Sequence, residues 1–244
     1  VRVGLLSAGY VQDRRDDPLD AHHGIHNTLD LGAAGRFTGS EVNFLRVLGQ
    51  NSTYHPLTRR VLVARTTQFG ALVPYGSPRR VIPLPERFFS GGSNSHRGFP
   101  INQAGLRDLV TGFPLGGDGL LFNSVELRFP VRGEDFGGVL FHDMGNVFSE
   151  PQNVTLRFRQ RPAQFDADGK VTAEDFDYMV HAVGFGVRYR TPIGPLRVDV
   201  AYSINPPRFV GFVGSREELL AGKGASAPQR ISHFQFHISL GQTF

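Results

Sequence analysis

The chain has 244 residues, with no Cys and no Trp against 30 Gly and 21 Phe. Without cysteine there is no disulfide scaffold, no thiol chemistry and no Cys-ligated zinc. The formal charge of +4 is modest and its basic residues are spread along the chain, which gives no basis for nucleic-acid binding.

No apolar run approaches the ~18 residues of a membrane-spanning helix, and no signal peptide is visible at the start. The first residue is Val, which suggests a mature form or a fragment. Helical periodicity is nearly absent. Alternation with period two runs throughout, punctuated by turn residues. Nine strands are expected, at about 1–12, 24–38, 41–50, 58–71, 119–130, 136–148, 178–190, 195–204 and 231–244. In the second, Ile25, Leu29, Leu31, Ala33 and Phe37 oppose His26, Thr28, Asp30 and Arg36. In the seventh, Val183, Phe185, Val187 and Tyr189 oppose Ala182, Gly184, Gly186, Arg188 and Arg190. In the eighth, Leu196, Val198, Val200 and Tyr202 oppose Arg197, Asp199, Ala201 and Ser203. In the last, Phe234, Phe236, Ile238, Leu240 and Phe244 oppose His233, Gln235, His237, Ser239 and Thr243. The strands near 41–50, 58–71 and 136–148 are mixed on both faces, so pattern leaves their parity open.

Short turns at 131–138 and 191–195 alternate with long polar loops at 72–118, 149–177 and 205–230. Long strands with short turns on one side and long loops on the other are the pattern of an outer-membrane barrel. In lipid every backbone group must pair within the sheet, so the sheet closes. Its apolar face meets lipid and its polar face a wet lumen. The rival is a soluble sandwich or lipocalin-like barrel with the apolar face inward. Single-chain bacterial barrels have an even strand number, so either the count of nine is off or part of the barrel lies outside this sequence, and the non-Met start favours the second.

The loop 72–118 is longer than a compact domain holds without a function. It contains "FFSGGSNSHRGFP", followed by strands with "FNSVELRFPV" and "GVLFHDMGNVFS", and the chain ends in "FQFHISLGQTF". Together and in this order these resemble the C-terminal half of the barrel of the Omp85 superfamily, the outer-membrane assembly factors of BamA and TamA type. The resemblance implies an all-β transmembrane antiparallel barrel of sixteen strands, of which residues 1–244 would supply about nine. The family's soluble periplasmic repeats are absent. The hallmark tip of the family's sixth surface loop falls on Arg97, Gly98 and Phe99. There the loop dips into the lumen and its arginine meets acids on the wall, matched by Glu126 and Asp143. A guanidinium offers a planar fork suited to carboxylates, and glycine lets the backbone approach the wall. The matching β-signal of the closing strand is Phe234, Phe236, Ile238, Leu240 and Phe244. Two departures stand out. Gln242 sits in the lipid-side register, and His96 stands where the family often has an aliphatic residue.

What the resemblance implies for function is assembly and insertion of other barrels into a bacterial-type outer membrane. Its partners would be outer-membrane lipids, unfolded outer-membrane proteins and accessory assembly subunits, with no cofactor and no enzymatic step. The alternative is a protein-translocating pore of the two-partner secretion type, or a passive channel. Other motifs are weaker. Asp166, Asp168 and Asp175 have a faint calcium-loop order, but Gln164 opens it, Asp175 rather than Glu ends it, and no helices flank it. A solvated acidic turn is the better reading. His22 and His23 near Asp16, Asp17 and Asp20 fit no metal-ligand spacing. No nucleophile motif appears, and the sequons at Asn51 and Asn153 read as chance matches.

Overall fold

A computed structural model of the chain describes residues 1–76, 81–133, 135–192 and 194–241. Nine strands form one antiparallel sheet: β1 (Leu5–Asp13), β2 (Gly24–Ala34), β3 (Phe44–Pro56), β4 (Leu62–Pro74), β5 (Gly119–Arg132), β6 (Phe136–Phe148), β7 (Val180–Tyr189), β8 (Leu196–Ser203) and β9 (Phe234–Leu240). Each pairs with its sequence neighbour, so the sheet is an uninterrupted meander. Pairing is regular: β3 and β4 run in register from Phe44 opposite Pro74 to Pro56 opposite Leu62. The sheet curls, and at the short-turn end Arg190, just after β7, reaches Asp20 in the β1–β2 turn at 2.7 Å.

The apolar rows point away from the interior. On β9, Phe236 and Ile238 are 74% and 75% exposed, while His237 between them is buried. On β7, Val183, Phe185 and Val187 are exposed while Val180, Ala182 and Arg188 are buried. A soluble sandwich would bury these rows; a membrane barrel turns them to lipid. Among the described residues no helix is long and apolar enough to cross a membrane. The strands whose pattern left parity open have a settled one. Ser52, Tyr54, Ala64 and Thr66 face inward from β3 and β4, as do Val139, Phe141 and Asp143 from β6.

Several boundaries differ from the sequence expectation. β2 stops at Ala34, and Phe37 falls in a 3-10 turn over Arg36–Thr38. β3 continues to Pro56 and β4 begins at Leu62, because Thr58 takes the amides of Arg60 and Val61 into a tight turn. The long loops carry structure of their own. One holds a small hairpin of Gln164–Phe165 with Val171–Ala173, another a hairpin of Arg208–Val213 with Ala225–Arg230. The second encloses a five-residue helix, Arg216–Leu220, started by a capping box between Ser215 and Glu218. It is too short to show a helical period. Gln242, Thr243 and Phe244 lie outside the described residues. A buried apolar cluster including Phe44, Leu72, Phe88, Phe99, Leu120 and Val147 joins the inner wall to the segment between β4 and β5.

Candidate functional site

The segment between β4 and β5 folds inward instead of standing in solvent. Its tip, residues 91–102, is a compact loop. The amide of Gly92 donates to the Phe99 carbonyl at 3.1 Å, and that of Phe99 to the His96 carbonyl at 3.1 Å. Gly91 and Gly92 hold φ of 120° and 104°, a region that admits glycine and little else. A side chain at Gly98 would meet the Cβ of Ala182 on β7 at 2.7 Å, so the backbone lies directly on the wall.

Arg97 and Phe99 are wholly buried at this tip. The Arg97 guanidinium donates to Asp143 on β6 from Nε at 2.9 Å and from Nη2 at 2.7 Å. It donates from Nη1 to Glu126 on β5 at 2.6 Å and from Nη2 to the Ser124 hydroxyl at 3.1 Å. The Arg97 amide adds a third bond to Asp143, at 2.9 Å. The guanidinium lies 3.5 Å from the ring centroid of Phe141, a cation–π contact within the same cluster.

The cluster is larger than one ion pair. Glu126 also binds Arg128 at 2.8 Å and approaches Arg188 at 3.7 Å. Asp199 on β8 takes Arg188 at 2.7 Å and lies 3.9 Å from Arg97. Arg97, Arg128 and Arg188 therefore face Glu126, Asp143 and Asp199, three charges of each sign. Balance of this kind is what allows charges to sit in a space with little water. A fourth arginine, Arg197 on β8, reaches the other side of the loop tip. It donates to the Asn94 side chain at 2.6 Å and to the Ser239 hydroxyl on β9 at 2.6 Å.

His96, next to Arg97, is buried and neutral. Its Nδ1 accepts the Gly98 amide at 3.1 Å, so Nε2 carries the hydrogen and donates to the Val180 carbonyl at 3.0 Å. Burial holds this imidazole below its ordinary value. An aliphatic side chain could fill the volume but could not bridge the loop to β7.

The three loop residues singled out from sequence, Arg97, Gly98 and Phe99, thus lie together with Glu126 and Asp143. Ser124, Phe141, Arg188, Arg197, Asp199 and His237 also belong to the site. The alternation had set Arg188, Arg197, Asp199 and His237 on the polar faces, which was the available signal. The acidic stretch is different. Asp166 closes a turn by accepting the amides of Asp168 and Lys170 at 3.0 and 2.8 Å. Asp175 is taken by Arg157 at 2.7 and 2.8 Å and by the Arg161 amide at 2.6 Å. Asp175 does not join the other two, and among the described residues no group of acids and histidines is placed to hold a metal ion.

The model of the Omp85 superfamily domain matches residues 5–244. The chain belongs to the Omp85 superfamily. It is 27% identical over 208 residues to the "Outer membrane protein assembly factor BamA" of Nitratidesulfovibrio vulgaris, a match that covers 84% of this chain and 21% of that protein. It is 31% identical over 207 residues to the SAM50-like protein SPAC17C9.06 of Schizosaccharomyces pombe, covering 80% of this chain and 41% of that one. The Omp85 chain therefore spans between about a fifth and two-fifths of the length of these curated relatives. The crystal structure of BamA from Haemophilus ducreyi lacking POTRA domains 1–3 has the same fold, at TM-score 0.66 and 18% identity, over 95% of this chain and 41% of that one. The Omp85 barrel resides in an outer membrane.

Proposed function

We propose that this Omp85 chain is the C-terminal part of a barrel that assembles other barrel proteins into the outer membrane, with β9 as the working edge and the Arg97 loop as a brace. The observation that carries this reading is the docking of the Arg97 loop tip on the acids of the inner wall in a chain of the Omp85 superfamily. β9 is the last strand of the sheet and pairs with β8. A closing strand whose other edge is weakly paired can template an incoming strand. The buried loop tip ties β5, β6 and β7 together, which keeps the wall behind the edge stiff while the edge exchanges partners. The mechanism needs no covalent step. Unfolded outer-membrane proteins would be the substrates, lipids the surrounding solvent and accessory subunits the carriers that deliver substrate. The loop tip lies on the inner wall, bonded to β5, β6, β7 and β9, an arrangement that favours a braced wall over an open passive channel.

The test uses the full-length protein reconstituted in liposomes, with a disulfide introduced between β9 and the strand that closes against it. The folding rate of an added unfolded barrel protein is followed by its heat-resistant gel mobility. Loss of stimulation in the tethered form, restored by reductant, is expected. Full stimulation with the tether in place would remove the seam from the mechanism.

A further inference from the structure

A second site lies at the long-loop end, above β7, β8 and β9, in a groove of about 920 Å³ between residues 158–178 and 204–233. Four arginines line it: Arg159, Arg161, Arg208 and Arg230. Among the described residues no carboxylate lies within ion-pair distance of any of the four guanidiniums. Two acids also line it. Glu174 accepts the Val210 amide at 2.6 Å through Oε1 while its Oε2 has no hydrogen-bond partner, and Asp175 is held by Arg157. Arginines without acidic partners, gathered around one concave space, leave a cationic groove that fits an anion with several oxygens.

The apolar part of the lining says where that anion comes from. Ile204 continues the outward row of β8 beyond Tyr202 and lines the groove. His233 also lines it, and stacks on the lipid-facing Tyr202 with centroids 5.2 Å apart. Tyr202 in turn meets Phe234 of β9 edge-on. On the opposite wall Phe158 packs on His181, in the outward row of β7. The groove is therefore continuous with an aromatic belt of the kind that marks a membrane interface. The long-loop side of such a barrel faces outward, so the adjoining lipid is that of the outer leaflet.

We propose that this groove binds the phosphorylated headgroup of an outer-leaflet lipid, with the four arginines on its phosphates and Phe158, Ile204 and His233 against its apolar shoulder. A soluble acidic peptide would use the arginines but leave the apolar wall, which runs on to the lipid-facing rows, without a role. The site stands beside β9, so a bound lipid would sit next to the edge strand.

Native mass spectrometry of the full-length protein in a non-ionic detergent tests this, with lipid A, a bisphosphorylated glucosamine lipid, as probe. One lipid A should be retained per protein, and its dephosphorylated form should be lost. Each paired variant, Arg159→Gln with Arg208→Gln or Arg161→Gln with Arg230→Gln, should weaken retention by roughly tenfold or more. Arg208→Lys should keep part of it. Heat-dependent gel mobility reports that each variant is folded. Equal retention of the dephosphorylated lipid, or unchanged retention after both pairs are replaced, would overturn the site. Displacement by hexaglutamate or inorganic phosphate at the same molar concentration would overturn the lipid as its occupant.

Discussion

Arg97→Ala removes four side-chain hydrogen bonds at once. The consequences differ for each acid. Glu126 keeps Arg128 at 2.8 Å, and Asp199 keeps Arg188 at 2.7 Å. Asp143 retains the Ser124 hydroxyl and the main-chain amide at position 97 but loses its cation. One buried carboxylate is left uncompensated, which costs about 3–5 kcal/mol. If that free energy holds the loop tip, amide exchange across 88–104 should accelerate by roughly two to three and a half orders of magnitude. Hydrogen-exchange mass spectrometry of the detergent-solubilised protein reads this directly. Arg97→Lys keeps the charge but not the fork, so it should lie between. Arg97→Ala combined with Asp143→Ala removes the stranded charge, and should cost less than the two single changes added, by about 1–3 kcal/mol. Unchanged exchange in Arg97→Ala, or simple additivity in the double variant, would show that packing of Phe99 and His96 holds the loop and that the ion cluster does not.

Three further outcomes follow from the same geometry. Phe236→Arg puts a charge on the lipid face of β9 and should destabilise the folded barrel by about 2–4 kcal/mol if it lies near the bilayer midplane, read from urea unfolding in lipid vesicles; a neutral result would take that row out of the membrane. Gly98→Ala drives a methyl group into Ala182 and should loosen the loop tip by about 1–3 kcal/mol without touching a charge, seen as faster exchange over the same peptide. Burial raises the Asp175 carboxyl, but hydrogen bonds from Arg157 and the Arg161 amide outweigh it and hold the group below the usual carboxylate range. A depressed carboxyl stabilises above its unfolded value of about 3.9 and loses that contribution as pH falls through its folded value. Pepsin should therefore nick residues 158–163 only below about pH 4, whereas Asp175→Asn should be nicked at pH values where the parent is intact; equal cleavage at pH 5 would refute the coupling.

The strand count and the membership of each row were legible because the two faces of a barrel wall impose opposite requirements on alternate residues. Which row faces outward was not, since Phe234, Phe236, Ile238 and Leu240 would share a row in a soluble barrel as well; their exposure decides it. Strand ends were less legible. Asn51, Ser52 and Thr53 have turn-like chemistry, yet Ser52 faces inward and its hydroxyl pairs with that of Thr66 across β3 and β4 at 2.6 Å. A sequence shows a polar residue there but not the partner that makes it acceptable in a strand. The same holds for the site. Alternation assigns Asp199 and Arg188 to the lumen, but which inward charges meet depends on how far the sheet curls and how deep the loop descends. The hairpins inside the long loops were hidden because short exposed strands need no apolar period.

The inner face of β9 links the two halves of this architecture. His237 donates from Nε2 to the Arg97 carbonyl at 2.8 Å, and Ser239 accepts from Arg197, which also holds Asn94 of the loop tip. The residues between and beside them, Phe236, Ile238 and Leu240, face outward to lipid. A strand can satisfy both demands only with a period of two, so a one-residue slip of β9 against β8 would send His237 and Ser239 into lipid and break both ties to the loop. The register of the last strand and the docking of the loop tip are therefore one structural state. Any displacement of β9 would thus have to keep its register or release His237 from the loop tip.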